Sequence, residues 1–375
     1  MRAGSGSIYG GIAYCNANAA TISFVCDTVV LKKFPISLHD LAANEILALA
    51  ACNHDCVLKP TTVKFTPDAI LLYMPRYDID LENVKLTVRE KYSVVADIIA
   101  GVAHIHSAGL IHGDLKPANI LIRRFPLRAV VCDLEISCVN EAGQTHYQPA
   151  YAPEYRAPEI TSSPPYTFNT SADCWSIGCI MLRLSLNESY IGVVPDSDSS
   201  TIACALFGLP TSTRSANMQA LYSLSRHDMG VRIKKKYRSH YRMYRDSGYI
   251  PLMRHFLQPK STRRLDAASA LATIEKISEH HNHVTQPNIS ILSLPEVSCT
   301  IMEDREELFM KCSPDCRKLA GYLHSRYGDF PHGNYAALYI AAIVCNSSVG
   351  VTDILNSMYP NDSIVPYVTK ILANM

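Results

Sequence analysis

Several ordinary features are missing from this chain of 375 residues, and each absence removes a class of function. There is no surplus of charge: the formal net charge is +1, so no global electrostatic pull draws the chain to nucleic acid or an anionic membrane. No apolar run reaches the ~20 residues a bilayer requires, and Tyr335–Cys345 falls well short of it. The start, Met1-Arg2-Ala3-Gly4-Ser5-Gly6, lacks the apolar core of an export signal. No internal repeat and no low-complexity tract is present. The 13 cysteines have no regular spacing and are odd in number. Without an export signal they read as reduced, buried small hydrophobes rather than a disulfide framework. What remains is a soluble globular protein, 48% apolar, long enough for two or three domains.

The hydrophobic pattern changes period along the chain. Ile12–Cys15, Thr21–Cys26 and Val29–Phe34 read as strands separated by turn residues. Residues 40–52 have helix-forming composition, with Leu41, Ile46, Leu47, Leu49 and Ala50 available for an apolar face. Two further strands flank Thr66-Pro67-Asp68, the second running to Met74 and stopped by Pro75. From 87 to 107 the period is helical, with Tyr92, Val95, Ile99, Val102 and Ile105 on one stripe. Strands followed by helices predict an α+β protein with a small sheet lobe and a larger helical lobe. Near 280 the run His280-His281-Asn282-His283, followed by Pro287 and Pro295, reads as a linker into a helical segment over 300–375.

The chemistry concentrates in His112-Gly113-Asp114-Leu115-Lys116-Pro117-Ala118-Asn119, followed by Asp133-Leu134-Glu135. An Asp, a Lys and an Asn in one loop, with a second Asp shortly after, suit the holding of a hydroxyl, a γ-phosphate and Mg²⁺. These segments resemble the protein-kinase catalytic loop H-R-D-L-x-x-x-N and the metal-binding D-F-G. The resemblance spans roughly residues 4 to 275. Val29-Val30-Leu31-Lys32 is similar to V-A-I-K, Tyr155–Glu159 to the A-P-E segment, Asp173–Gly178 to D-x-W-S-x-G, and Arg264 to the Arg that pairs with the A-P-E Glu159.

The resemblance implies a bilobal kinase fold, with an N-lobe over 1–76, a C-lobe over 77–278, a linker over 279–299 and a helical extension over 300–375. It implies ATP contacts at Gly4, Gly6, Gly10, Lys32, Glu45, Met74 and Arg76. Lys32 would meet the α- and β-phosphates and pair with Glu45, Met74 would be the gatekeeper, and the backbone around Arg76 would bind adenine. Asp114 would take or orient the substrate hydroxyl proton, Lys116 would neutralise charge during transfer, and Asn119 and Asp133 would hold Mg²⁺. Lys116-Pro117 resembles serine/threonine kinases acting on protein substrates. Tyr155-Arg156 and the stretch from Asp196 to Pro210 resemble the cyclin-dependent and MAP kinase branch. Leu72–Leu81 resembles the hinge of herpesvirus kinases, which implies a large DNA virus and a host cytoplasm or nucleus.

Taken singly, the same residues have plainer readings: Lys32 as an exposed strand lysine, His112 as a core histidine, and Glu159, Asp173 and Arg264 as scaffold.

The chain departs from the pattern at several points. Gly4–Gly11 has one residue too many for G-x-G-x-x-G, and the Lys32–Glu45 spacing is short, implying a clipped helix or loop. Gly113 stands where the family has the Arg that answers an activation-loop phosphate. Activity is therefore expected without that phosphorylation, although Thr145, Tyr147 and Tyr151 are available. Glu135 replaces a flexible glycine and adds a carboxylate beside Asp133. Ala152 replaces a Thr that contacts the catalytic loop. These changes leave a pseudokinase scaffold as the alternative, but a chain released from catalysis would be expected to lose at least one of Lys32, Glu45, Asp114, Lys116, Asn119 and Asp133.

Other features are read more plainly. The basic stretch 226–245, with Lys234-Lys235-Lys236, is either a docking or nucleic-acid patch or a solvated face, and the solvated face is preferred. Cys312, Cys316, His324 and His332 fit no standard zinc spacing. Cys132 either faces the nucleotide or fills a small packing site. The 300–375 segment faintly resembles part of a cyclin box, which could act in cis, as a separate partner would, on the Glu45 helix.

Overall fold

The computed structural model describes residues 20–26, 28–140, 151–161, 165–186, 198–236 and 249–281. The expectations for Gly4, Gly6, Gly10, the Ile12–Cys15 strand, Thr145, Tyr147, residues 237–245 and the segment from 282 onward, Cys312 and Cys316 included, lie outside the described residues. The described residues form two compact units, one drawn from 20–53, 58–76 and 278–281 and the other from 54–57 and 77–277.

In the first unit, β1 (Thr21–Cys26), β2 (Val29–Pro35), β3 (Thr62–Phe65) and β4 (Ala69–Pro75) form an antiparallel sheet in the order β1-β2-β4-β3. The period of two puts Val30, Lys32 and Phe34 on the buried face of β2. They pair in register with Met74, Leu72 and Ile70, so Lys32 is the single charged residue in a buried apolar row. The Thr66-Pro67-Asp68 turn forms as expected, with the Thr66 N–H donating to the Ala69 carbonyl at 2.9 Å. Helix α1 (His39–Ala51) packs on β2 and β4. Only a 3-10 turn, Ile36–Leu38, separates it from β2. The short Lys32–Glu45 spacing thus comes from a clipped connection, while the helix keeps 13 residues.

The second unit opens its helical part with α2 (Val88–Ser107). Thr87 caps it reciprocally: Thr87 Oγ1 accepts from the Glu90 N–H at 3.3 Å, and Glu90 Oε2 accepts from the Thr87 N–H at 2.6 Å. Its buried stripe is wider than the sequence period suggested, adding Val94 and Ile98, while Tyr92 lies at its margin. Short strands frame the segments 112–119 and 133–135: β5 (Ile79–Asp80), β7 (Ile120–Arg124) and β8 (Leu127–Val131) form one antiparallel sheet, and β6 (Leu110–Ile111) pairs with β9 (Cys138–Val139).

The remaining helices are α3 (Thr170–Leu186), α4 (Ser199–Leu206), α5 (Arg214–Ser223), α6 (Arg226–Lys236), α7 (Tyr249–Phe256) and α8 (Ala267–His281). Because α8 continues through His281, residues 279–281 are helix rather than the start of the expected linker. On α6, Lys234 and Lys235 are exposed, in keeping with a solvated face for this part of the basic stretch. Helix α3 lies so close to the end of α7 that a Cβ on Gly178 would meet Phe256 Cβ at 3.0 Å and the following Leu257 at 2.8 Å.

Arg264 ties this unit together with every donor it has. Its guanidinium donates to Glu159 Oε1 at 2.5 Å, Glu159 Oε2 at 2.6 Å, and the carbonyls of Gln258, Ser171 and Pro259 at 2.7, 3.0 and 3.0 Å. It also sits over the Trp175 ring at 5.0 Å. A lysine has neither the fork nor the plane to replace it. Arg264→Ala is expected to cost roughly 3 kcal/mol by orphaning these acceptors, and Arg264→Lys to recover less than half of that, as read by thermal or urea unfolding. A lysine variant as stable as the wild type would rule this role out.

Candidate active site

In the first unit the Lys32 Nζ lies 2.7 Å from Glu45 Oε2. Glu45 is 1% exposed, and the Lys32 ammonium also sits 5.0 Å from the centre of the Phe34 ring. Desolvating two charges costs several kcal/mol per ion, and apolar replacements often do as well or better. A buried ion pair inside an apolar sheet–helix interface is therefore weak support for the fold and a strong pointer to chemistry. Met74 is buried beside it on β4. The Arg76 N–H donates to the Thr28 carbonyl at 2.8 Å, so adenine recognition at Arg76 would fall to its carbonyl.

In the second unit the loop 112–119 is suspended between β6 and β7, and His112 and Asp173 fix its shape. The His112 Nδ1 accepts from the Asp114 N–H at 3.2 Å, which leaves Nε2 to donate to the Cys132 carbonyl at 3.0 Å. These partners select the neutral Nε2–H tautomer. His112 thus joins the catalytic loop to the end of β8, one residue before Asp133. The plain reading of His112 as a core histidine is the one the geometry bears out. The Cys132 N–H also donates to the Asn119 carbonyl at 3.0 Å, and its buried thiol lies 3.3 Å from the same oxygen. Cys132 is a packing residue.

Asp173, 0% exposed, accepts from four donors. Its Oδ2 takes the His112 N–H at 2.8 Å and the His106 Nε2 at 2.9 Å, and its Oδ1 takes the Gly113 N–H at 3.2 Å and the Tyr151 hydroxyl at 2.9 Å. Burial alone would raise this carboxyl, but the His106 ring and the backbone donors outweigh it and hold the pKa below the usual value.

Around Asp114 the geometry is that of a positioned acceptor. Asp114 Oδ1 accepts from the Ala152 N–H at 3.1 Å. Asp114 Oδ2 accepts from Asn119 Nδ2 at 3.2 Å and from the Lys116 ammonium. Asn119 Nδ2 also donates to the Asp114 carbonyl at 2.8 Å, so both hydrogen bonds of this amide nitrogen run toward Asp114 and its Oδ1 is the atom available to a cation. The family position that carries a Thr thus keeps a contact to the catalytic loop here, made by backbone instead of a hydroxyl.

Asp133 adopts φ 67°, a left-handed conformation costing about 1–2 kcal/mol for a residue with a Cβ. The buried Leu134 follows it, and the Leu134 carbonyl accepts from the Ser137 N–H and hydroxyl at 3.1 and 2.7 Å. A carboxylate oxygen of Glu135 lies within 4.8 Å of one of Asp133. Carboxylates and a side-chain carbonyl are the donors a hard divalent cation prefers, so these residues fit Mg²⁺.

One expectation is corrected. Tyr151 is not available to phosphorylation: it is 3% exposed and its hydroxyl donates to Asp173, so a phosphate there would set a dianion against a buried carboxylate. Burial holds its own pKa well above the usual 10. The roles of Tyr151 and the Ala152 N–H were missed by sequence reasoning, because a backbone donor and a left-handed tyrosine leave no motif.

The protein kinase domain family matches residues 2–274. Similar curated proteins include serine/threonine-protein kinase D2 of Rattus norvegicus, 25% identical over 245 residues that cover 62% of this chain and 27% of that protein. The probable CTD kinase subunit alpha homolog of Encephalitozoon cuniculi is 35% identical over 159 residues, 40% of this chain and 44% of that protein. Mitogen-activated protein kinase 13 of Homo sapiens is 28% identical over 179 residues, 45% and 48% of the two chains. The aligned stretches thus span about a quarter of the first and under half of the other two. With an ion-paired lysine in the sheet unit, a hydrogen-bonded Asp–Lys–Asn loop in the helical unit and a family match over most of its length, this chain belongs to the protein kinase domain family and has its bilobal α+β fold.

Proposed function

We propose that the chain transfers the γ-phosphate of ATP to serine or threonine hydroxyls of protein substrates, without activation-loop phosphorylation. The observation that carries this reading is the state of Asp114, whose carboxylate is held by Ala152, Asn119 and Lys116 at once. A carboxylate so fixed can orient an incoming hydroxyl and accept its proton as the O–P bond forms. The Lys116 ammonium, paired with the same carboxylate, would offset charge on the transferring group. Lys32, held by Glu45, would grip the α- and β-phosphates. Asn119 and Asp133, with Glu135 adjacent, would hold Mg²⁺, which supplies charge neutralisation at the phosphates. The choice of serine or threonine rests on Lys116-Pro117 and on the names of the relatives.

The herpesvirus-like hinge Leu72–Leu81 extends the proposal to a viral kinase working in the cytoplasm or nucleus of a host cell. Control of the Glu45 helix by a partner, or by residues 300–375, belongs to the same reading.

Asp114→Asn is expected to lower turnover about 10²–10⁴-fold on a generic protein substrate while leaving the nucleotide- and Mg²⁺-dependent thermal shift in place. Equal turnover by both proteins would remove the assigned site, and a thermal shift with no turnover by the wild type would identify a pseudokinase. Glu45→Gln, which leaves Lys32 without its charged partner, is expected to raise KM for ATP about tenfold or more in steady-state assays. Exhaustive phosphatase treatment, checked by mass spectrometry, is expected to leave kcat unchanged, and loss of activity would refute independence from loop phosphorylation.

A further inference from the structure

Two positions in the second unit carry complementary oddities. Gly113 has no side chain and adopts φ 80°, and a Cβ there would approach the Ile136 carbonyl oxygen to 3.2 Å. Tyr151 carries a large side chain yet adopts φ 63°, a conformation that a bulky residue keeps only where its surroundings over-determine it. The two meet directly, the Tyr151 N–H donating to the Gly113 carbonyl at 2.6 Å.

The surroundings of Tyr151 account for its conformation. Its ring packs edge-on against Phe168 at 5.5 Å. Its carbonyl accepts from the Arg156 guanidinium at 2.8 Å. Its hydroxyl reaches Asp173 Oδ1, the same oxygen that accepts from the Gly113 N–H. The next residue, Ala152, then places its N–H on Asp114. One tyrosine thus joins the buried carboxylate that shapes the catalytic loop to the backbone donor that orients the catalytic carboxylate.

We propose that Tyr151 is a permanent latch, a positioning residue whose hydroxyl holds the segment before the A-P-E sequence against the catalytic loop and so keeps the Ala152 N–H on Asp114. In the family that this chain resembles, an arginine at position 113 would answer a loop phosphate. Here the link is a phenol on a buried carboxylate, a charge-assisted hydrogen bond needing no modification. The proposal rests on the kinase reading for its catalytic consequence but not for the latch itself.

Tyr151→Phe tests it, because the ring and its packing remain and only the donor is removed. The expected result is a fall in kcat of about tenfold or more with KM for ATP within about twofold of wild type. Hydrogen–deuterium exchange over 151–155 should quicken about tenfold or more, with α2 and α3 unchanged. An unchanged kcat together with unchanged exchange over 151–155 would overturn the proposal. So would faster exchange throughout the second unit with kcat and KM moving together, since that marks a merely structural role. Faster exchange confined to 151–155 in a chain whose wild type has no turnover would support the latch and remove the kinase reading instead.

Discussion

Asp173 is a carboxylate buried to 0% exposure, and the functional part of the second unit is arranged around satisfying it. An ionised carboxylate out of water is tolerated only when charge-assisted hydrogen bonds replace its hydration. Four donors do so, two from the backbone of His112 and Gly113 and two from the side chains of His106 and Tyr151. They come from the end of α2, the catalytic loop and the segment before the A-P-E sequence, while Asp173 itself rides on α3. Removing any one would leave part of the hydrogen-bonding capacity of a buried carboxylate unanswered. The constraint is therefore mutual: three pieces of chain are held in register because one carboxylate needs them all.

From that fixed point the chemistry is reached by short steps. The His112 backbone is tied to Asp173, and its ring, in the tautomer its partners impose, sets the Asp114 amide on one side and the end of β8 on the other. Asp114 and Asp133 are thereby located from one histidine. The two oxygens of Asp114 are divided, one to the Ala152 backbone and the other to Asn119 and Lys116. Such division fixes the orientation of the carboxylate while leaving it partly exposed. The Lys32–Glu45 pair in the first unit obeys a different logic: alternation along β2 puts a charge into an apolar row, and one helix residue answers it.

How much of this was legible in the sequence depends on which force set each feature. Although its capping box was not read from the sequence, helix α2 was legible because a 3.6-residue stripe acts locally. So were the strands and turn around Thr66-Pro67-Asp68, and the Arg264–Glu159 pair, which the family pattern marks. Tyr151 reads in the sequence as available for phosphorylation because nothing local to it predicts burial or a left-handed backbone. Both are imposed by Phe168, Asp173 and Gly113, distant in sequence. Ala152 was read as a lost contact because only its side chain was considered, whereas the backbone N–H donates at 3.1 Å. The clipped connection before α1 was anticipated from spacing alone, but only the structure assigns the shortening to the turn rather than the helix.

The departures from the family pattern also make more sense together than singly. A glycine at 113 removes a side chain but suits a φ of 80° and leaves its carbonyl to accept from Tyr151. The tyrosine supplies a side-chain donor to Asp173, and with its backbone in place the Ala152 N–H reaches Asp114 without needing a hydroxyl at 152. Two substitutions that each look like erosion when scored against a motif, Gly113 and Ala152, thus lie with Tyr151 on one connected path from Asp173 to Asp114. The same hydrogen bonds thus do two things at once: they satisfy the buried charge of Asp173 and, through the Ala152 N–H, they set the orientation of the Asp114 carboxylate.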